Sequence, residues 1–109
     1  MKHSFDVRDM CLTASGGSYI VKYSAELLIA PGSGEVTIEV INTIPDIVNE
    51  ELMNLSLEQI RVGASEVLSE QQLNGTLALK DLVIHDVDCK PHKFRRPTAD
   101  AMRELGTLT

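Results

Sequence analysis

"YIVKYSAELLIAPGSGEVTIEV", residues 19–40, decides the fold. Tyr19, Val21, Tyr23, Ala25 and Leu27 recur at every second position, with Lys22, Ser24 and Glu26 between them. A period of two is that of a strand, whose successive side chains point to opposite faces, so one face of this segment is buried and the other is wet. Val36, Ile38 and Val40 repeat the pattern against Glu35, Thr37 and Glu39. "PGSG" at 31–34 separates the two runs, and a proline–glycine cluster between alternating segments predicts a turn. The stretch therefore predicts a long antiparallel hairpin with one face in the core.

Working outward, "SFDVRDMCL" (4–12) alternates Phe5 and Val7 with charged residues, as an edge strand does. "TASGGS" (13–18) is a turn whose two glycines tolerate positive φ. Beyond the hairpin the period changes. Pro45 and Asp46 open a short helical turn, and Ser56 with Gln59 three residues on has the form of a capping box. Leu57, Ile60, Ala64, Val67 and Leu68 follow at helical spacing, which predicts an amphipathic helix ending near Gln72. Gly63 sits inside that helix at a cost of about 1 kcal/mol relative to alanine, which predicts a close packing contact there. Asn74-Gly75 predicts a turn, and "LALKDLVIHDVD" (77–88) returns to strand. Pro97-Thr98 then predicts a final helix, with Thr98 as N-cap, Asp100 in the first turn, and Ala101, Met102 and Leu105 facing inward. The order strand, strand, strand, helix, strand, helix predicts an α+β two-layer sandwich, a mainly four-stranded sheet with both helices on one face. The whole of 1–109 is expected to form one domain.

Composition narrows the function. The apolar fraction of 43% supports a core, and with no tryptophan and four other aromatics that core rests on Val, Ile, Leu and Met. The N-terminal ten residues hold no signal-like apolar stretch and no run reaches membrane-span length, so a cytoplasmic protein without membrane contact is expected. Cys11 and Cys89 are too few for a disulfide framework and are expected as free thiols. The net charge of −6 argues against a general nucleic-acid coat. It does not argue against one focused contact, because Lys90, Lys93, Arg95 and Arg96 gather in "KPHKFRR" (90–96) without an acid.

Three chemistries compete for that stretch. His85, Asp86, Asp88, Cys89 and His92 crowd together, but a structural zinc site needs a second paired set of ligands, so no metal is expected. Cys89 with Lys90 and His92 nearby has the ingredients of an activated thiol but no catalytic motif around it, and "ASGGS" (14–18) lacks the lysine of a phosphate loop. No catalytic residue and no cofactor are therefore expected. RNA contact fits better: the four basic residues supply phosphate partners, His92 and Phe94 offer stacking faces, and Gly16 and Gly17 allow close backbone approach. Composition alone leaves the alternative of a solvated loop whose arginines pair with the protein's own acids.

Taken in order, the motifs resemble the fourth domain of the ribosomal translocase elongation factor G and its archaeal and eukaryotic counterparts. "TASGGSY" (13–19) is similar to the family's glycine-rich tip loop, "APGSGEVTIEVINTIP" (30–45) to its hairpin and following strand, and "RVGASEVL" (61–68) to its helix pattern. "LNG" (73–75) resembles its turn, "KDLVIHDVDCKPH" (80–92) its last strand and histidine loop, and "RRPTADAM" (95–102) the opening of its final helix. The resemblance implies a βαβ unit of left-handed crossover, against the general rule. It implies that 13–18 and 88–96 are neighbours at a domain tip, which in the translocases enters the decoding region of the small ribosomal subunit and contacts transfer and messenger RNA. Asp81, Asp88 and His92 fall on family positions, and His92 on the one converted to diphthamide in eukaryotic and archaeal factors. Lys93-Phe94-Arg95-Arg96 departs from the partly acidic bacterial loop, and no GTPase domain lies in these residues, so coupled translocation is not implied.

The expected function is a non-enzymatic module that binds RNA or the ribosome through 13–18 and 88–96, using Gly16, Gly17, Lys90, His92, Lys93, Phe94, Arg95 and Arg96. The competing expectation is a protein-interaction or oligomeric subunit of the same fold, associating through its acidic β-face or an edge strand. The expected partner is the ribosome or a structured RNA, and the sequence sets no oligomeric state.

Overall fold

The structure, a computed structural model, describes residues 2–13 and 17–108. Strands β1 (Lys2–Cys11), β2 (Tyr19–Pro31), β3 (Val36–Val40) and β4 (Thr43–Ile44) precede helix α1 (Glu50–Glu70). Strands β5 (Leu73–Lys80) and β6 (Leu82–Val83), a 3-10 turn (Pro91–Lys93) and helix α2 (Arg95–Glu104) complete the chain. The fold is α+β: a four-stranded sheet in the order β1-β2-β5-β3, a two-stranded parallel sheet of β4 and β6, and two helices.

The expected hairpin between 19–30 and 36–40 does not form. β5 lies between them, antiparallel to β2 with Leu27 opposite Leu77, and parallel to β3 with Ile38 opposite Leu77. Both apolar runs thus flank a third, and Leu77 and Leu79 have strands on either side, which makes β5 a central strand buried on its inner face. β3, α1 and β5 form a βαβ unit between adjacent parallel strands. Asn74, read from the sequence as a turn, is instead inside β5 and closes the 33–35 bend. Its Oδ1 accepts from the backbone N–H groups of Ser33, Gly34 and Glu35 at 2.9, 3.2 and 2.9 Å. Gly34 takes φ +102, and a side chain there would press on Ser69 Cβ at 2.8 Å. The turn before β5 is made by Gln71 and Gln72, the latter at φ 57.

The inner face of the sheet carries Phe5, Val7, Val21, Tyr23, Ala25, Leu27, Leu77 and Leu79, all buried. Ile60, Ala64, Val67 and Leu68 of α1, with Ala99 and Met102 of α2, close over it as one core. α1 starts earlier than the Ser56 signal: Asn49 is the cap, its Oδ1 accepting from Leu52 N–H at 3.1 Å, with Glu50 and Glu51 favourable in the first turn. Ser56 is buried inside the helix, donating to the Leu52 carbonyl at 2.8 Å and lying 3.3 Å from Cys89 Sγ. α2 likewise begins at Arg95, so Thr98 is not its cap. Thr98 donates back to the Phe94 carbonyl at 2.7 Å and meets the Tyr23 hydroxyl at 2.5 Å. Gly63 fulfils its expectation, since a Cβ there would meet the Arg95 carbonyl oxygen and Thr98 Cβ, so its absence lets α2 lie close on α1. Among the described residues no helix is long and apolar enough to cross a membrane.

Candidate nucleic-acid interface

β1 and β2 run toward one end of the sheet, where Cys11 pairs with Tyr19 and the 12–18 connection begins. The described part of that loop is closed by side chains: Thr13 N–H donates to Ser18 Oγ at 2.8 Å, Ser18 Oγ donates to the Thr13 carbonyl at 3.0 Å, and Gly17 N–H donates to Thr13 Oγ1 at 3.2 Å. Gly16 lies outside the described residues. The second loop comes alongside, because Ile20 N–H donates to the Asp88 carbonyl at 3.0 Å. Lys93 Nζ then stands over the Tyr19 ring, 4.8 Å from its centroid, a cation–π contact that joins the loops through side chains.

The basic stretch divides into two kinds of residue. Lys90 is half-buried and its Nζ donates to the Val87 carbonyl at 2.8 Å. Arg95 is held by Glu66 of α1, its Nε donating to Oε1 at 2.6 Å and a second nitrogen closer still. Arg95 is exposed despite that pair; His92, Lys93 and Arg96 are exposed too, and the Arg96 side chain is 92% accessible with Asp100 a distant 3.9 Å away. Phe94 is 0% accessible. The expected stacking role for Phe94 is withdrawn on that ground: its ring belongs to the core under α2, and anchoring it fixes where α2 begins.

Tyr19 is the aromatic that sequence reasoning left out of the site. It is half-buried beside Asp9, whose Oδ1 accepts from its hydroxyl at 3.3 Å. Desolvation, reinforced by the Asp9 charge, lifts its phenol above the ordinary range. The alternation of 19–27 assigned it to the strand, and only the β1–β2 register brings it to the loops. Tyr19, His92, Lys93 and Arg96 border an open groove of about 670 Å³ between β1 and α2. Arg8 adds a cation to this groove, but Asp6, Asp9, Asp100 and Glu104 outnumber its lysine and arginines, so the groove itself is no anion channel. Lys93, over the Tyr19 ring, stands at its loop end.

The metal and thiol candidates separate. His85 Nδ1 faces the Val87 and Asp88 N–H groups at 3.4 and 3.3 Å, while Cys89 is buried against Ser56. Among the described residues no group of three or more His, Cys, Asp or Glu is placed to hold a metal ion. No group suited to activating the Cys89 thiol makes a hydrogen bond to it among the described residues; its partner is the Ser56 hydroxyl.

No protein-family model matches this chain, and no curated protein matches it. Among solved structures it is similar to the crystal structure of ttk003000868 from Thermus thermophilus, with TM-score 0.60 and 15% identity over 94% of this chain. The chain spans 15% of the length of that protein, so the shared fold is a domain-sized piece of a much longer polypeptide. At that identity the likeness is one of fold.

Proposed function

We propose that this chain is a non-enzymatic module that binds RNA through the end of the sheet where 17–19 and 88–96 meet, with His92, Lys93 and Arg96 as its exposed contacts. One observation carries the reading. An acidic chain of net charge −6 gathers exposed basic side chains at one end, beside a partly exposed tyrosine and a glycine-bearing loop. Such a charge distribution orients a protein toward a polyanion while the acidic body discourages wrapping. The ordered resemblance to the fourth domain of elongation factor G makes the ribosome the specific form of this proposal, with His92 at the tip. Lys90 and Arg95 support the loop's shape rather than touch RNA, since each is engaged by an internal partner.

Co-sedimentation of the chain with ribosomes and separated ribosomal subunits is the test. The expected outcome is binding to ribosomal particles that the pair of substitutions Lys93→Ala and Arg96→Ala removes. Arg95 is left in place because removing its bond to Glu66 would disturb the α1–α2 packing. Equal sedimentation of wild type and double variant would overturn the proposal.

A further inference from the structure

The open side of β1 carries an unexplained charge pattern. Among the described residues β1, ten residues long, is an edge of the four-stranded sheet and pairs with β2 alone. Asp6, Val7, Arg8 and Asp9 all line the groove between β1 and α2. Consecutive side chains of a strand point to opposite faces, so four in a row can border one groove only where it meets the strand at its edge. The groove therefore leaves the free backbone groups of β1 accessible, and no backbone hydrogen bond from a neighbouring loop covers them among the described residues. Exposed strand edges are templates for pairing with another strand.

The outer-face charges of β1 differ in how they are neutralised. Lys2 is paired with Glu26 at 3.2 Å. Asp6 lies opposite Ser24, and Arg8 lies opposite Lys22, a like charge. Neither Asp6 nor Arg8 makes an ion pair among the described residues. Like charges directly opposite on one face of a sheet repel, so Arg8 is placed where an additional acid would be favourable.

We infer that β1 pairs antiparallel with β1 of a second copy of this chain, about a two-fold axis through Val7, forming a sheet continuous across the dimer. The register follows from two constraints. A two-fold perpendicular to the sheet keeps inner faces together only if it passes through a residue, so that residues opposite each other share a face. Of the residue-centred registers in the middle of the strand, one through Asp6 opposes Asp6 to itself, and one through Arg8 opposes Arg8 to itself. The register through Val7 sets each Asp6 against the Arg8 of the other copy, twice, on the wet face. This antiparallel arrangement directs the two loop ends to opposite extremes of the dimer, and the pairing does not rest on the RNA reading.

Sedimentation velocity over a concentration series, without RNA, tests the pairing. The wild-type chain is expected to show a monomer–dimer equilibrium. Asp6→Arg alone and Arg8→Asp alone are each expected to stay monomeric, because each now opposes like charges at both positions. An equimolar mixture of the two variants is expected to recover the dimer, since every arginine of one faces an aspartate of the other. Both positions are exposed, and far-UV circular dichroism of each variant separates lost pairing from lost fold. A wild type that remains monomeric at its highest soluble concentration, single variants that dimerise as it does, or a folded mixture that stays monomeric would each overturn the inference.

Discussion

Tyr23 and Thr98 fasten the second helix to the sheet through a single pair of hydroxyls. The two oxygens are 2.5 Å apart and buried, and Thr98 also donates to the Phe94 carbonyl at 2.7 Å, so the start of α2 is tied to the centre of β2. Removing the phenol oxygen with Tyr23→Phe is expected to cost about 1 kcal/mol at neutral pH, the usual worth of one such bond. The pH dependence is more telling. Burial lifts the Tyr23 phenol well above its ordinary value of 10.0. A phenol held protonated by the fold contributes its full stability below that ordinary value, and the contribution shrinks at higher pH as the unfolded chain's phenol ionises first. Urea unfolding from neutral to strongly alkaline pH should therefore show wild-type stability falling relative to Tyr23→Phe by about 1.4 kcal/mol per pH unit above ~10. The two proteins differ at this one side chain, so the difference isolates it. Parallel pH profiles would contradict the account of Tyr23 as a buried neutral phenol.

At the scale of elements, the sequence disclosed which segments are strands and helices but not who pairs with whom. The alternation at 19–27 and 36–40 is real, and both segments are strands with their apolar residues inward. Their partner was hidden because periodicity records a face and not a neighbour, and a proline–glycine bend serves a hairpin and a crossover connection equally well. Asn74 shows the same limit, since its role as acceptor for 33–35 depends on residues about forty positions away in the chain. Phe94 looked like a surface aromatic among basic residues and is core, because an aromatic flanked by charges reads alike whether it anchors a helix start or stacks on a nucleobase. Gly63 was legible, since glycine inside a strong helical pattern requires a reason. That reason gives a prediction: Gly63→Ala gains about 1 kcal/mol of helix propensity but places a methyl against the Arg95 carbonyl, and such overpacking costs roughly 1–3 kcal/mol. A net fall in denaturant midpoint is expected, and an equal or higher midpoint would show that α2 is free to retreat.

For the whole molecule the governing feature is the separation of charge. The chain is acidic as a whole, while the exposed basic residues of 92–96 stand at one end against Tyr19. The fold brought two loops together that the chain separates by some seventy residues, and the bond from Ile20 to Asp88 holds them. The composition of 88–96 announced a charged site, yet only the packing told which exposed cation is already engaged: Arg95 is paired with Glu66, and Arg96 projects outward. A polyanion contact made by two such cations has a characteristic signature, because each phosphate neutralised releases condensed counterions. The affinity of the chain for a single-stranded RNA, measured over a salt series, is the most direct test. The wild type is expected to show a steep fall of log affinity with log salt concentration. The Lys93→Ala, Arg96→Ala variant is expected to show a slope shallower by roughly 1.4, about 0.7 for each single-strand phosphate it no longer neutralises. Identical slopes for the two proteins would contradict the claim that this end of the sheet is the RNA-binding surface.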